Sequence, residues 1–249
     1  MIIAVISDMH GNGVALDAAL KDVKRQEIDR IVCLGDAIQG GSQPAQVIER
    51  LQDLKCPVIM GNGDNYVLTG ESAEPPAPGA GEVREWTREQ IGPDGLDFVA
   101  SFQSSLAIDL EAGKQMLCFH GSPRSFDDVI LPETAEDDVV GLLGGTDAAV
   151  LTGGHTHLQW ARQVGESLFF NPGSAGVTYN RHMDPKEFYF YAFAEYAVIE
   201  SEGPRVAVEF CRVPFDIDEL HEAAIGSGRP YAERETQRYR PPRQEEDEG

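Results

Sequence analysis

The chain has 249 residues with 20 basic and 42 acidic side chains, so its formal net charge at pH 7 is -22. This charge repels nucleic acid at long range and argues against a long polyanion as substrate or partner. No run approaches the roughly 18 consecutive apolar residues of a membrane span, and no basic segment precedes the first apolar run. We therefore expect a cytoplasmic protein without membrane contacts.

The first sixty residues predict strands that alternate with helices. The apolar run IIAVIS at 2–7 precedes a segment with helical spacing at 13–27. RIVCLG at 30–35 precedes a helical PAQVIERLQDL at 44–54, and PVIM at 57–60 follows as a third strand. Continuous apolar strands between amphipathic helices are typical of parallel pairing in a covered sheet.

The pattern changes at residues 74–81, where clustered prolines and glycines predict a loop. Two helical segments follow at 82–91 and 94–102. Together, residues 82–102 are a candidate helical cap over a cleft, and the alternative is that they only cover the sheet.

The rest of the chain is mostly strands. The runs after Leu158 show partial alternation, which favours antiparallel pairing. A last helix is expected at 216–225. The glycines, prolines and dense charges of residues 227–249 cannot bury enough apolar area to offset ordering, so this segment is predicted to be a flexible, charged tail. Residues 1–226 are then expected to form a single domain.

Residue types that bind metals follow the ends of several apolar runs. These residues are Asp8, His10, Asp36, Asn62, His120, His155 and His157. In open α/β sheets the ligand crevice lies beyond the carboxyl ends of the strands, so the side chains should converge if the strands share a sheet. Residues two apart on an extended backbone face the same way, which predicts that each closely spaced pair points together.

Each of these residues has an ordinary explanation when taken singly, since Asp8 or Asp36 could be a helix N-cap. Taken together they predict a metal site. Imidazole, carboxylate and amide groups without a thiolate suit Mn, Fe, Zn, Co or Ni. Seven donors exceed what one ion needs, whereas two ions that share a carboxylate would use them all.

Five short motifs of this sequence resemble, in order and spacing, those of the calcineurin-like metallophosphoesterases. They are DMH at 8–10, GD at 35–36, GNGD at 61–64, HG at 120–121 and GHTH at 154–157. HGSPR at 120–124 and NPGS at 171–174 make the chain more similar to the small bacterial and archaeal phosphodiesterase branch. The resemblance extends from residue 1 to about residue 215.

The resemblance implies an α/β fold, namely a four-layer αββα sandwich of two mixed β-sheets flanked by helices. It also implies two divalent metal ions, with manganese expected first and Fe, Zn, Ni or Co as alternatives. The ligands would be Asp8, His10 and His157 for the first ion and Asn62, His120 and His155 for the second, with Asp36 as the bridge. Asp36 and Asn62 would thereby belong to the catalytic residues.

The implied activity is hydrolysis of a small phosphate ester, a phosphodiester first, by in-line attack of a hydroxide held between the ions. Arg124 and Arg181 could clamp phosphate oxygens, although each could equally be a solvated surface residue. Many relatives have a histidine at the position of Gly63, and glycine cannot assist a leaving group. That assistance would then come from water, a metal, Asp64 or His182.

Other functions stay open at this point. The start SDMHGN at 7–12 is similar to that of dinucleoside polyphosphate hydrolases, and a phosphomonoesterase could use the same site. The fold also resembles that of a vesicle-coat subunit that acts as a protein scaffold, but a scaffold is expected to lose ligands and all seven are present. A structural role for the metals does not explain why more than four ligands converge. A homo-oligomer is another open possibility.

Overall fold

A computed structural model of the protein describes residues 1–179 and 188–241. The helices of these residues are α1 (Gly13–Val23), α2 (Pro44–Leu54), α3 (Asn62–Thr69), α4 (Ala80–Ala100), α5 (Glu136–Leu143), α6 (Ile217–Ser227) and α7 (Ala232–Thr236), with a 3₁₀ turn at Glu111–Gly113. The strands are β1 (Ile2–Ile6), β2 (Arg30–Cys33), β3 (Leu106–Asp109), β4 (Gln115–Cys118), β5 (Val150–Thr152), β6 (Gln159–Val164), β7 (Ser167–Pro172), β8 (Phe190–Tyr191), β9 (Phe193–Glu202), β10 (Arg205–Pro214) and β11 (Tyr239–Arg240).

Most strands belong to two mixed sheets. The first sheet has the order β10-β9-β1-β2, in which β1 and β2 are parallel and the other pairs are antiparallel. The second has the order β3-β4-β5-β7-β6, with parallel pairs in its centre and antiparallel pairs at its edges. The strand predicted at 57–60 is reduced to single bridges, from Val58 to Cys33 and from Ile59 to Gln103.

The central strand β1 is covered on both faces, which is why it is apolar throughout, whereas the edge strands β6 and β10 include exposed polar residues. In β1, Ala4 and Ile6 pack in a cluster with α1 and α2, whereas Ile3 and Val5 pack between the two sheets. On the far side of the second sheet, Phe169 packs with residues of α5. The layers therefore run helix, sheet, sheet, helix, and the predicted fold class is confirmed.

Helix α4 contains the helical segment predicted at 82–91 and, as far as Ala100, the one predicted at 94–102. A break separates them, because Gly92 has a φ of 62° and Pro93 follows it. The second half packs into the core through Phe98 and Val99. The first half, from Ala80 to Thr87, lines a cavity that is described below.

The segment after α6 differs from the predicted flexible tail as far as residue 241. It contains α7 and then β11, which pairs with β8. Tyr239 is buried against Phe190 and Phe215, and its hydroxyl donates to the carbonyl of Gly176. Tyr239 thus buries apolar surface for a segment whose composition is mainly charged. Residues 242–249 lie outside the described part of the chain.

No helix among the described residues is both long enough and apolar enough to span a bilayer.

Candidate metal centre

The candidate ligands come from loops of both sheets. Asp8 and Asp36 follow β1 and β2 of the first sheet, whereas His120 and His155 follow β4 and β5 of the second. The side chains converge although these strands do not share one sheet, the condition under which the convergence was expected. Their carboxyl ends meet because the two sheets are stacked with these ends at a common edge of the sandwich.

The seven donors form two adjacent groups. In the first group, ligand atoms of Asp8, His10 and His157 lie within 4.8 Å of one another. The second group contains Asp36, His120 and His155, with the same spacing. Asn62 begins α3, and its Oδ1 lies 3.1 Å from Nε2 of His120, which places it beside the second group.

The backbone at these positions is not extended, so the reason given for the paired orientation is corrected. Five of the donors have positive φ angles, between 49° and 67°: Asp8, His10, Asp36, His155 and His157. The left-handed conformation is uncommon outside glycine, and Asp and His are among the residues that tolerate it best. Tight left-handed turns, rather than strand alternation, direct each pair toward the site.

Three histidines are oriented by backbone carbonyls. The Nδ1 atoms of His10, His120 and His157 lie 2.9, 2.8 and 2.8 Å from the carbonyl oxygens of Gln39, Leu34 and Val177. A carbonyl can only accept, so each Nδ1 carries the hydrogen and donates it. In the neutral ring the Nε2 lone pair is then free for a metal, which is the usual orientation of ligand histidines.

The donor geometry fits bound cations. The Nε2 atoms of His10 and His157 are 3.1 Å apart, so two neutral rings in this tautomer turn lone pairs toward each other. Oδ1 of Asp8 is buried without a hydrogen-bond partner. Buried acceptors that face one another are unfavourable unless a cation or proton lies between them. The first group therefore has the chemistry of a metal site.

Asp36 stands between the two groups. Its Oδ1 accepts the backbone N–H of Gly63 at 2.7 Å, which fixes the carboxylate. Its Oδ2 lies 3.5 Å from Nε2 of His10 in the first group and 3.6 Å from Nε2 of His120 in the second. One oxygen atom is thus within reach of ions bound by either group.

The charges of the site shift the pKa values of its members. Burial alone would raise the pKa of Asp36 and lower that of His120. Their mutual attraction outweighs burial, so the pKa of Asp36 falls below its usual range and that of His120 rises to about 10. For His155, burial and the neighbouring His120 together lower the pKa.

Asp64, predicted as a candidate proton donor, has both carboxylate oxygens engaged by backbone N–H groups. It is fully buried, and its Oδ1 accepts the N–H groups of Ala37 and Ile38 while its Oδ2 accepts that of Gly61. Burial and the nearby Asp36 raise the pKa of this carboxyl to about 7. Its contacts connect the loop of Asp36 to the start of α3.

Of the two predicted arginine contacts, the described residues include Arg124, which belongs to neither donor group. The guanidinium of Arg124 donates to the carbonyl of Gly141 in α5 at 2.7 Å. Arg181 and His182 lie outside the described residues. A Cβ atom at Gly63 would lie 2.9 Å from Cβ of Gln39 and 3.0 Å from Oδ1 of Asp36, so this position leaves little room for any side chain.

The NPGS stretch supports the loops that carry the candidate donors, which the motif alone did not reveal. Asn171 donates to the carbonyl of Gly154, and Ser174 donates to the carbonyl of Asp8. Gln39 was also missed, although its backbone carbonyl and side-chain oxygen both lie near Nδ1 of His10. For Asn171 and Ser174 the sequence offers a signal, since both are polar residues beside the glycine of a predicted turn. Gln39 has no such signal.

A two-sheet αββα sandwich with buried imidazole and carboxylate donors at one edge is an architecture that can hold divalent metal ions. The sequence model of the calcineurin-like phosphoesterase superfamily domain matches residues 1–195. The chain belongs to this superfamily, whose members are hydrolases of phosphate esters that use divalent metals.

Relatives cover nearly the whole chain. It is 27% identical over 246 residues to the uncharacterized protein MJ0912 of Methanocaldococcus jannaschii, covering 92% of this chain and 94% of that one. It is 26% identical to a metallophosphoesterase from Sphaerobacter thermophilus of known structure, with a TM-score of 0.70 and coverage of 96% and 97%. The hypothetical protein PH1004 from Pyrococcus horikoshii shares the fold, with a TM-score of 0.78, 20% identity and coverage of 92% and 94%.

Proposed function

We propose that this chain is a phosphodiesterase that acts on small substrates with two divalent metal ions, manganese first. The observation that carries the proposal is the position of Oδ2 of Asp36, about equally far from a histidine of each donor group. The first ion would be bound by Asp8, His10 and His157, and the second by Asn62, His120 and His155, with Asp36 shared. The mixed nitrogen and oxygen donors suit Mn, Fe, Zn, Ni or Co.

When bound, two such ions supply Lewis-acid charge to the phosphoryl oxygens and a water that is acidic enough to act near neutral pH. The protein's part is to fix the donors. Asp8 and Asp36 contribute two negative charges against the four positive charges of two ions. The remaining positive charge would attract an anionic phosphate ester and stabilise the negative charge on its phosphoryl oxygens.

The absence of a side chain at Gly63 bears on the substrate. No group at this position can donate a proton to a departing alkoxide, and Gln39 lies against the backbone there. The other carboxylate nearby, Asp64, is engaged by backbone amides. These features support esters whose leaving groups depart without a proton donor.

The test combines metal analysis of the purified protein with an activity panel in Mn²⁺. The panel contains a nitrophenyl phosphodiester, the matching monoester, cyclic nucleotides and dinucleoside polyphosphates. We expect about two metal ions per chain and the highest kcat/KM on the diester. A higher value on the monoester or on the dinucleoside polyphosphate would replace the diesterase assignment with that activity.

Asp36→Asn is the decisive variant, because it retains an oxygen for the N–H of Gly63 but removes the shared charge. We expect hydrolysis to fall by at least about a hundredfold and the metal content to drop. Asp17→Asn, which changes a surface carboxylate paired with Arg50, is the matched control. Full activity of Asp36→Asn would refute the two-ion site.

A further inference from the structure

A cavity of about 450 Å³ opens beside the first donor group, with His10 and His157 in its wall. One side is formed by α3 and the first half of α4. The opposite side is formed by residues 229–239, which we call the C-terminal segment. The volume lies in the range of sites for nucleotide-sized ligands.

The cavity is basic although the protein is strongly acidic. Four arginines and one glutamate line it: Arg84, Arg229, Arg234, Arg238 and Glu235. With 20 basic and 42 acidic residues in the chain, such a local excess of positive charge runs against the composition. Three of the four arginines come from the C-terminal segment.

These arginines differ in whether their donors are already engaged. Arg84 donates to the carbonyl of Tyr66, and Arg229 donates to that of Gly40, so both hold the wall together. Among the described residues, the side chain of Arg234 has no hydrogen bond or ion pair, and that of Arg238 has only a pair with Glu235 at 3.9 Å. Two guanidinium groups at the cavity therefore have donors available for a ligand.

The C-terminal segment is fastened across the cavity to the start of α4. The hydroxyl of Tyr231 donates to Glu82 at 3.0 Å, and its ring packs on Gly79, where a Cβ atom would lie 2.6 Å from the ring. At the other end of the segment Tyr239 is buried in the core. Arg234 and Arg238 thus belong to a segment that is fixed at both ends.

We infer that Arg234 and Arg238 bind a second phosphate group of the substrate, while the scissile phosphodiester lies at the donor groups beside His10 and His157. The substrate class is a nucleotide-sized phosphodiester that carries a further phosphate. Guanidinium groups bind phosphate oxygens in pairs, and these two remain accessible to a ligand, since Arg234 is exposed and the side chain of Arg238 is 41% exposed. This inference rests on the proposed function for the scissile bond, but the binding of the second phosphate requires only the arginines.

Two matched esters test it: the 4-nitrophenyl ester of thymidine 5′-phosphate and the same ester with a 3′-phosphate. For the wild type we expect kcat/KM to be at least about tenfold higher on the ester with the 3′-phosphate than on the ester without it. The double variant Arg234→Gln/Arg238→Gln should abolish this preference. Arg205→Gln, on β10 in an exposed pair with Glu200, is the control and should leave the preference unchanged. Equal preference in the wild type and the double variant would overturn the inference.

Binding without hydrolysis separates this inference from the proposed function. Calorimetric titration of the metal-free protein with thymidine 3′,5′-bisphosphate should show at least about tenfold weaker binding for the double variant, with a loss of salt dependence. If neither ester is hydrolysed but this difference appears, the phosphate site stands and the phosphodiesterase proposal fails. If the bisphosphate binds both proteins equally, the phosphate site is refuted whatever the activity.

Discussion

Replacement of Asp64 separates a positioning role from a part in proton transfer. Its carboxylate accepts buried N–H groups from Ala37 at 2.9 Å, Ile38 at 3.2 Å and Gly61 at 3.3 Å. Alanine would leave these three donors without an acceptor, and each unsatisfied buried donor costs about 1–3 kcal/mol. We therefore expect Asp64→Ala to lower the free energy of unfolding by at least about 3 kcal/mol, or Tm by about 6–12 °C.

Asp64→Asn is the matched variant, because its amide oxygen can still accept from Ala37 and Ile38. It should lose only the longest contact, at a cost of about 1–2 kcal/mol. Thermal unfolding measures both variants, with Asp29→Ala as control, since that carboxylate accepts one exposed N–H from Ile2. The control should change stability by about 1 kcal/mol or less.

Kinetics on nitrophenyl and alkyl phosphodiesters completes the test. If Asp64 only positions the loops, Asp64→Asn should retain hydrolysis of both esters in the same ratio as the wild type. A selective loss on the alkyl ester with an unchanged Tm would show that Asp64 donates a proton to the leaving group. In that case the assignment of its oxygens to backbone support would be wrong.

Three further predictions concern the leaving group, the metal and pH. Because Gly63 offers no proton donor, nitrophenyl phosphodiesters should be cleaved far faster than alkyl ones, and equal rates would contradict this. Burial opposes protonation of His120, but the neighbouring Asp36 raises its pKa to about 10. Metal binding must therefore release a proton from this ring, and the metal affinity should rise between about pH 6 and about pH 9. A binding enthalpy that is independent of the buffer would exclude that release. Burial raises the pKa of Glu195 from 4.5 to about 7, because the largely exposed Arg212 offsets it only in part. The contribution of protonated Glu195 to folding stability is complete below the unfolded pKa and is lost as pH rises through about 7. Between about pH 4 and about pH 8, the free energy of unfolding of Glu195→Gln should therefore rise by up to about 3 kcal/mol relative to that of the wild type. Urea unfolding measures this difference.

The sequence predicted local features well where one strong signal determined them. The bounds of α2 match the predicted 44–54, since Pro44 suits the first turn and the apolar spacing is regular. The convergence of the seven donors was predicted because residue type and strand end coincide along the chain. Helix α3 was missed, because Gly61 and Gly63 around Asn62 have low helix propensity. This helix depends on contacts such as that from the Gly61 N–H to Asp64, which no local pattern reveals.

Non-local pairing and single anchors explain the other differences. The alternation of strands and helices did not indicate that β1 and β2 lie in one sheet and β4 and β5 in another, since sheet membership depends on contacts distant in sequence. The prediction for residues 227–249 used their overall composition, which is mainly charged. Tyr239 is a small part of that composition, yet its burial fixes the C-terminal segment against the core.

The strained backbone of the donors bears on what metal ions would do to the fold. A left-handed conformation costs a residue other than glycine about 1–3 kcal/mol, and five of the donors adopt it. Glycine would adopt it freely but provides no ligand. In the loops of the first sheet, backbone hydrogen bonds help to offset the cost of this strain. Examples are the bonds that the N–H groups of Asp8 and His10 donate to the loop after β2.

Between the sheets the direct support at the site includes the bond from the N–H of His155 to Oδ2 of Asp8. In the proposed assignment each ion has ligands from both sheets: Asp8 and His10 with His157, and Asp36 and Asn62 with His120 and His155. Cations would then connect the loops of the two sheets. They would lie at the edge where buried carboxylate oxygens and imidazole nitrogens otherwise face one another. Metal binding should therefore stabilise the association of the sheets as well as supply the chemistry, because the same donors serve both.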